Sequence, residues 1–171
     1  MANKIAIAIK RTNPEETSSI EVMAYSLGII MNALLTFAAS SLISWLLGNF
    51  EATLTFMLCF NLLRLCSGGF HLKTATACNI VSTLIYSFIP YFFAVSGTML
   101  WTINAVSLII MILFAPNPDK NAQVPVNWFP YLKCASILLV CFNFWIGSSN
   151  MALAFFIQSL TIIPWERRLR S

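Results

Sequence analysis

The stretch "RLCSGGFHLKTATAC", Arg64 to Cys78, brings the only histidine of the chain together with a thiol, a guanidinium and a Gly-Gly pair. A cysteine becomes a nucleophile when its thiolate is stabilised, and a histidine within hydrogen-bond reach can take its proton. His71 stands seven residues before Cys78 and seven after Arg64. On one continuous helix His71 and Cys78 would share a face but lie about 10 Å apart along the axis. Proton transfer needs about 3 Å or one bridging water, so a cysteine–histidine dyad requires the chain to bend between the two. Gly68 and Gly69 permit the positive-φ backbone that such a bend uses. Cys78 follows Thr74 and Thr76, each able to cap a helix, and the amides of a helix N-terminus lower a thiol pKa. Arg64 suits two tasks: binding an acidic group of a substrate, or holding the loop through backbone carbonyls. Lys73 and Lys120 could draw an acidic partner to the same face.

Each of these residues also has an ordinary use. A Gly pair makes turns, an arginine at a helix end anchors it among headgroups, and a cysteine is usually a small apolar filler. Cys59, Cys66, Cys134 and Cys141 are read as filler. Asn61, Asn79 and Ser67 are candidates for a third catalytic group, and the sequence singles out none of them. Other chemistries are trimmed by what is missing. There is no C-x-x-C pair for a disulfide relay and no Gly-rich loop ending in Lys-Ser/Thr for a phosphate. One histidine and no clustered acids leave no metal centre to expect, and no cofactor is called for. The basic residues are too scattered for nucleic-acid binding.

The elements that must position this stretch are set by composition. Of 171 residues, 58% are hydrophobic and only 9% charged, with a mean hydropathy of +0.79. Soluble domains carry about 25% charged residues, so this chain belongs in a membrane. No repeat, low-complexity tract or second domain is visible, and a single domain over 1–171 is expected. Val22 to Leu47 is charge-free and long enough to span. Its start is read at "TNPEE", with Asn13 as N-cap, Pro14 in the first turn and Glu15 and Glu16 at the positive end of the helix dipole. A second span covers Ala52 to Leu63 and runs on so that Arg64 snorkels to the headgroups. Spans three and four are expected near 77–96 and 98–115, with Pro90 as a kink and Ser96-Gly97-Thr98 as the turn. Between Cys134 and Trp165 two short spans flank Gly147-Ser148-Ser149-Asn150. Residues 1–21 form the N-terminal segment, whose periodicity is too weak to insist on an interfacial helix.

Charge placement supports about six spans. Lys4, Lys10, Arg11, Arg64, Lys73, Lys120, Lys133, Arg167, Arg168 and Arg170 all fall on one side, and only Glu51 falls on the other. The expected fold is therefore an all-α polytopic helical bundle in a membrane. Both termini and the 64–78 loop lie on its cytoplasmic side.

The pattern R-x-x-x-G-G-x-H with a cysteine seven residues on (Arg64, Gly68, Gly69, His71, Cys78) resembles the accessory gene regulator B (AgrB) family of membrane cysteine endopeptidases. "FAPNPDKN" at 114–121 resembles that family's Ala-Pro-containing loop, with Asp119 displaced by one place. The resemblance implies Cys78 as nucleophile and His71 as general base, with Arg64, Gly68, Gly69 and Lys73 binding substrate or orienting the loop. It implies an AgrD-like quorum-sensing precursor peptide as substrate, cleaved through a thioester and cyclised to a lactone or thiolactone. The bilayer is its surroundings, a homodimer is compatible with the pattern, and no nucleic acid is involved. The competing class is a non-enzymatic small membrane protein, a transporter or a sensory or structural partner. That class would use the intramembrane polar residues Asn32, Asn104, Asn143 and Gln158.

Overall fold

The charge-free runs fold as helices. The computed structural model describes residues 2–14, 17–70, 74–117 and 125–164. Their order is α1 (Ala2–Thr12), α2 (Ile20–Leu46), α3 (Phe50–Ser67), α4 (Ala75–Phe92), α5 (Gly97–Phe114), α6 (Phe129–Ile146) and α7 (Ser149–Thr161), with a 3-10 turn at Val126–Trp128 leading into α6. Five of these segments are long and apolar enough to cross a membrane, with the 3-10 turn counted into the α6 segment. Leu34, Leu35, Leu46, Leu65, Leu113 and Trp145 stand exposed on the outside of the bundle. That is the surface a hydrocarbon solvent requires, so the fold is an all-α membrane bundle.

Two sequence expectations are corrected. The first long helix does not begin at Asn13-Pro14. Residues 2–12 are themselves helical and pack against α2, and the Asn13 amide donates to Ile9 O at 3.2 Å, closing α1. The N-cap of α2 is Ser19, whose Oγ accepts from Val22 N at 3.4 Å, with Glu21 in the first turn. Glu15 and Glu16 lie outside the described residues. The turn after α4 also comes earlier than 96–98: the helix ends at Phe92, two residues past the buried Pro90, and Ser96 is the N-cap of α5.

The shortest of the late helices sits deepest. α7 has 13 residues, about 20 Å of rise against a hydrocarbon core of about 30 Å. It is wrapped by α3 and α5, and Ala152, Leu153, Ala154, Phe155, Gln158 and Ser159 are buried. On one side of it Phe56 and Phe60 each meet Tyr86 edge to face, with ring centroids 5.3 Å apart for Phe60 and Tyr86. On the other, Leu63, Met111, Val140, Phe155 and Ile162 close the core.

The buried amides of Asn104 and Asn143 find partners inside, as an apolar surround demands. Asn143 Nδ2 donates to Asn104 Oδ1 at 3.2 Å, and Asn104 Nδ2 to Val140 O at 3.2 Å. Asn143 Oδ1 in turn accepts from Ser148 N at 3.0 Å, fixing the turn into α7.

The helix ends gather in two groups. The C-terminal ends of α3, α5 and α7 meet, because Gly68 bridges to Asn117 and Phe70 N donates to Thr161 O at 2.9 Å. At the opposite end Val95 N donates to Ser149 Oγ at 2.9 Å, joining the α4–α5 connection to the start of α7. Asn150 lines a cleft there with Trp45, Gly48, Asn49 and Glu51. The quoted stretch therefore leaves the bundle where three helices end together.

Candidate active site

The site is best built from the end of α3. Gly68 leaves the helix with φ 73° and ψ −146°, and Gly69 follows at φ 137°, a pair of conformations that L side chains rarely adopt. The turn they make is bonded at every residue. Gly68 N donates to Arg64 O at 2.9 Å, Gly69 N to Asn117 O at 3.0 Å, and Asn117 N to Ser67 O at 2.8 Å. Asn117 Nδ2 donates to Ile162 O at 3.0 Å, which ties the turn's partner to the end of α7. From α7 itself Gln158 Nε2 donates to Ser67 Oγ at 3.0 Å and to Gly68 O at 2.7 Å.

Arg64 faces the same turn. Its Nη2 donates to Phe70 O at 2.8 Å, and its guanidinium carbon lies 5.9 Å from the Phe60 ring centroid. Of the two tasks open to it in the sequence, the structure displays the hold on a backbone carbonyl. His71 and Lys73 lie outside the described residues, as do Lys120, Asp119, Arg167, Arg168 and Arg170.

Beyond that gap α4 begins where the sequence allows. Thr74, rather than Thr76, is the N-cap: its Oγ1 accepts from Ala77 N at 3.2 Å, and Cys78 N donates to Thr74 O at 3.1 Å. Cys78 is thus in the first turn of α4, half-buried, with its thiol unbridged. The helix carrying it is tied to its neighbours by amides. Asn79 Nδ2 donates to Asn32 Oδ1 on α2 at 3.2 Å, and Tyr86 Oη donates to Asn61 Oδ1 on α3 at 3.3 Å.

The three candidates for a third catalytic group are therefore engaged elsewhere. Asn61 also donates to Met57 O at 2.7 Å, Asn79 spans to α2, and Ser67 accepts from Gln158. The polar residues that a transport reading would use are likewise bonded within the protein: Asn32 to Asn79, Asn104 to Asn143, and Gln158 to the Gly-Gly turn. What the described part offers chemically is a thiol at a helix start and, separately, a rigidly held turn whose chain runs straight on to the only histidine.

The sequence profile described as Accessory gene regulator B matches residues 2–164. The chain belongs to that family. The accessory gene regulator protein B of a bovine Staphylococcus aureus strain is 28% identical over 91% of this chain and 88% of its own length. That of Staphylococcus intermedius is 28% identical over 78% of this chain and 73% of its own. An AgrB-like protein of Halalkalibacterium halodurans is 25% identical over 96% and 86% respectively. No solved structure matches. For a member of the accessory gene regulator B family, the Gly-Gly turn and the α4 start are the parts of the fold that the Arg64–Cys78 motif builds. Sequence reasoning did not foresee Asn117, Gln158 and Thr161 as partners of that turn. Asn117 did carry a signal, since it lies within the Ala-Pro-containing stretch that resembles the family's loop.

Proposed function

We propose that this accessory gene regulator B family member is a membrane cysteine endopeptidase that trims an AgrD-like precursor peptide and promotes its cyclisation. The observation that carries the reading is the placement of a half-buried, unbridged Cys78 thiol in the first turn of α4, just beyond the stretch that holds His71. His71 accepts the thiol proton, and the Cys78 thiolate attacks the carbonyl of the scissile peptide bond. The C–N bond breaks, the tail leaves as an amine that takes the proton from His71, and the core peptide remains as a thioester on Cys78. A cysteine or serine within the peptide then attacks that thioester. This forms the ring bond and returns the Cys78 thiol. The thioester keeps the carbonyl activated for ring closure as long as water is excluded, and a site at the membrane face favours that exclusion.

By the positive-inside rule, the 64–78 loop and both termini face the cytoplasm, and the acidic Glu51 turn faces outward. Arg64, Gly68 and Gly69 orient the loop, and Lys73 attracts an acidic precursor tail. The test is co-expression with a precursor peptide and mass analysis of the products from wild type, Cys78→Ala, Cys78→Ser, His71→Ala and Cys66→Ala. Loss of the truncated or cyclised peptide in the Cys78 and His71 variants, with Cys66→Ala active, supports the reading. A Cys78→Ser peptide adduct would capture the acyl-enzyme. Processing that survives Cys78→Ala sinks the reading and leaves a non-enzymatic role in the quorum-sensing system.

A further inference from the structure

The Gly-Gly turn is held from 90 positions away by a residue that packing alone does not require. Gln158 lies on α7 with its side chain fully buried, at a position where a methionine of similar length would fill the same space. Its amide is directed at one place. Nε2 donates to Ser67 Oγ at 3.0 Å and to Gly68 O at 2.7 Å, while Oε1 accepts from Thr161 Oγ1 at 3.1 Å. Gly68 O can only accept, so the amide nitrogen faces it, and Oε1 shares the single Thr161 hydroxyl proton with Gln158 O, which lies nearer at 2.8 Å. A buried amide is costly unless bonded, and here both bonds of its nitrogen fall on the end of α3. Thr161 completes the hold through its backbone, since its carbonyl accepts from Phe70 N at 2.9 Å. His71 is the next residue in the chain.

We propose that Gln158 is a positioning residue for the Cys78 chemistry, holding Ser67 and Gly68 at the turn from which the chain continues to His71. This rests on the Cys78–His71 reading. A turn that loses the amide leaves Cys78 in place on α4 but lengthens or misaligns the proton transfer, and displacements of that kind cost rate rather than binding.

The experiment uses the full chain in lipid nanodiscs, in a background with Cys59, Cys66, Cys134 and Cys141 changed to Ala. The rate of Cys78 alkylation by iodoacetamide is followed from about pH 5 to about pH 9, where a histidine-assisted thiolate differs from a free thiol. Yield and thermal melting are recorded beside it. Wild type is expected to react at low pH, and His71→Ala to lose that reactivity. Gln158→Met is expected to shift the profile toward that of His71→Ala while the protein remains folded. With precursor peptide, its kcat falls by a factor on the order of 10 to 100 and KM stays within about twofold.

A Gln158→Met protein with the wild-type alkylation profile and kcat, beside an altered His71→Ala, overturns the proposal and leaves Gln158 as packing. A His71→Ala protein with unchanged profile and processing instead overturns the dyad reading itself. If Gln158→Met does not fold, Thr161→Val decides, because it removes the hydroxyl whose proton is shared between Gln158 O and Gln158 Oε1. A smaller shift in the same direction supports the positioning role, and a wild-type profile overturns it.

Discussion

At the scale of single residues, the turn after α3 leaves no room for chemistry that the sequence does not already specify. A Cβ added at Gly69 would lie 2.6 Å from Thr161 Oγ1 and 3.3 Å from Gln158 Nε2, at a backbone φ of 137° that side chains avoid. Gly69→Ala should therefore cost about 1–3 kcal/mol, read as a lower melting temperature in detergent. Gly28→Ala is the matched control, because nothing lies within 4 Å of its added Cβ and it sits inside α2. Helix propensity alone predicts no loss there and a gain of about 0.5–1 kcal/mol. Arg64→Lys separates charge from geometry. A lysine keeps the positive end of α3 but lacks the planar fork that donates to Phe70 O at 2.8 Å. Processing should fall despite the retained charge, measured as the yield of truncated peptide; an Arg64→Lys protein as active as wild type would mean that charge alone suffices.

At the scale of elements, the first turn of α4 is where the helix cap and the proposed chemistry coincide. Thr74→Ala removes the side-chain acceptor for Ala77 N and should cost about 1 kcal/mol locally, while Thr74→Ser keeps it. Faster hydrogen exchange at residues 77–80 in Thr74→Ala, without a comparable change in Thr74→Ser, checks this directly. Elements of this kind were legible because their signals are local. Charge-free runs marked α2, α4 and α5, and the Gly147-Ser148 pair marked the turn into α7, where Gly147 is left-handed and Ser148 caps the next helix. The start of α2 was misread for a physical reason. Asn13-Pro14 and Ser19 both offer helix-start chemistry, and only the packing of α1 against α2 decides that Asn13 ends one helix rather than beginning the next. The shortness of α7 looked like a poor span, whereas α3 and α5 rather than lipid cover most of it. The candidate site divides in the same way. Arg64, the glycines and Cys78 stand out by spacing, but Gln158, Thr161 and Asn117 reach the turn only through tertiary packing, which no local pattern encodes.

At the scale of the whole molecule, the hydrogen bonds between distant helix ends give a topology that can be tested without a substrate. Phe70 N donates to Thr161 O and Gly69 N to Asn117 O, so the ends of α3, α5 and α7 share one face of the bundle. Val95 N donates to Ser149 Oγ, and Asn150 lines a cleft with Asn49 and Glu51, so the intervening turns share the other. Arg64 lies in the last turn of α3 on the first face, so the positive-inside rule makes that face the expected cytoplasmic one. Single cysteines placed in a cysteine-free chain should then separate cleanly in intact bacterial cells. A membrane-impermeant maleimide should label Glu51→Cys and Ser96→Cys from outside, and Asn13→Cys and Pro164→Cys only after permeabilisation. Pro164 is the discriminating position, because an α7 that failed to return across the bilayer would expose it outside. Such labelling would be incompatible with the bond between Thr161 and Phe70, since one end of α7 cannot lie on the outer face while it holds the turn that leads to Cys78 on the inner one.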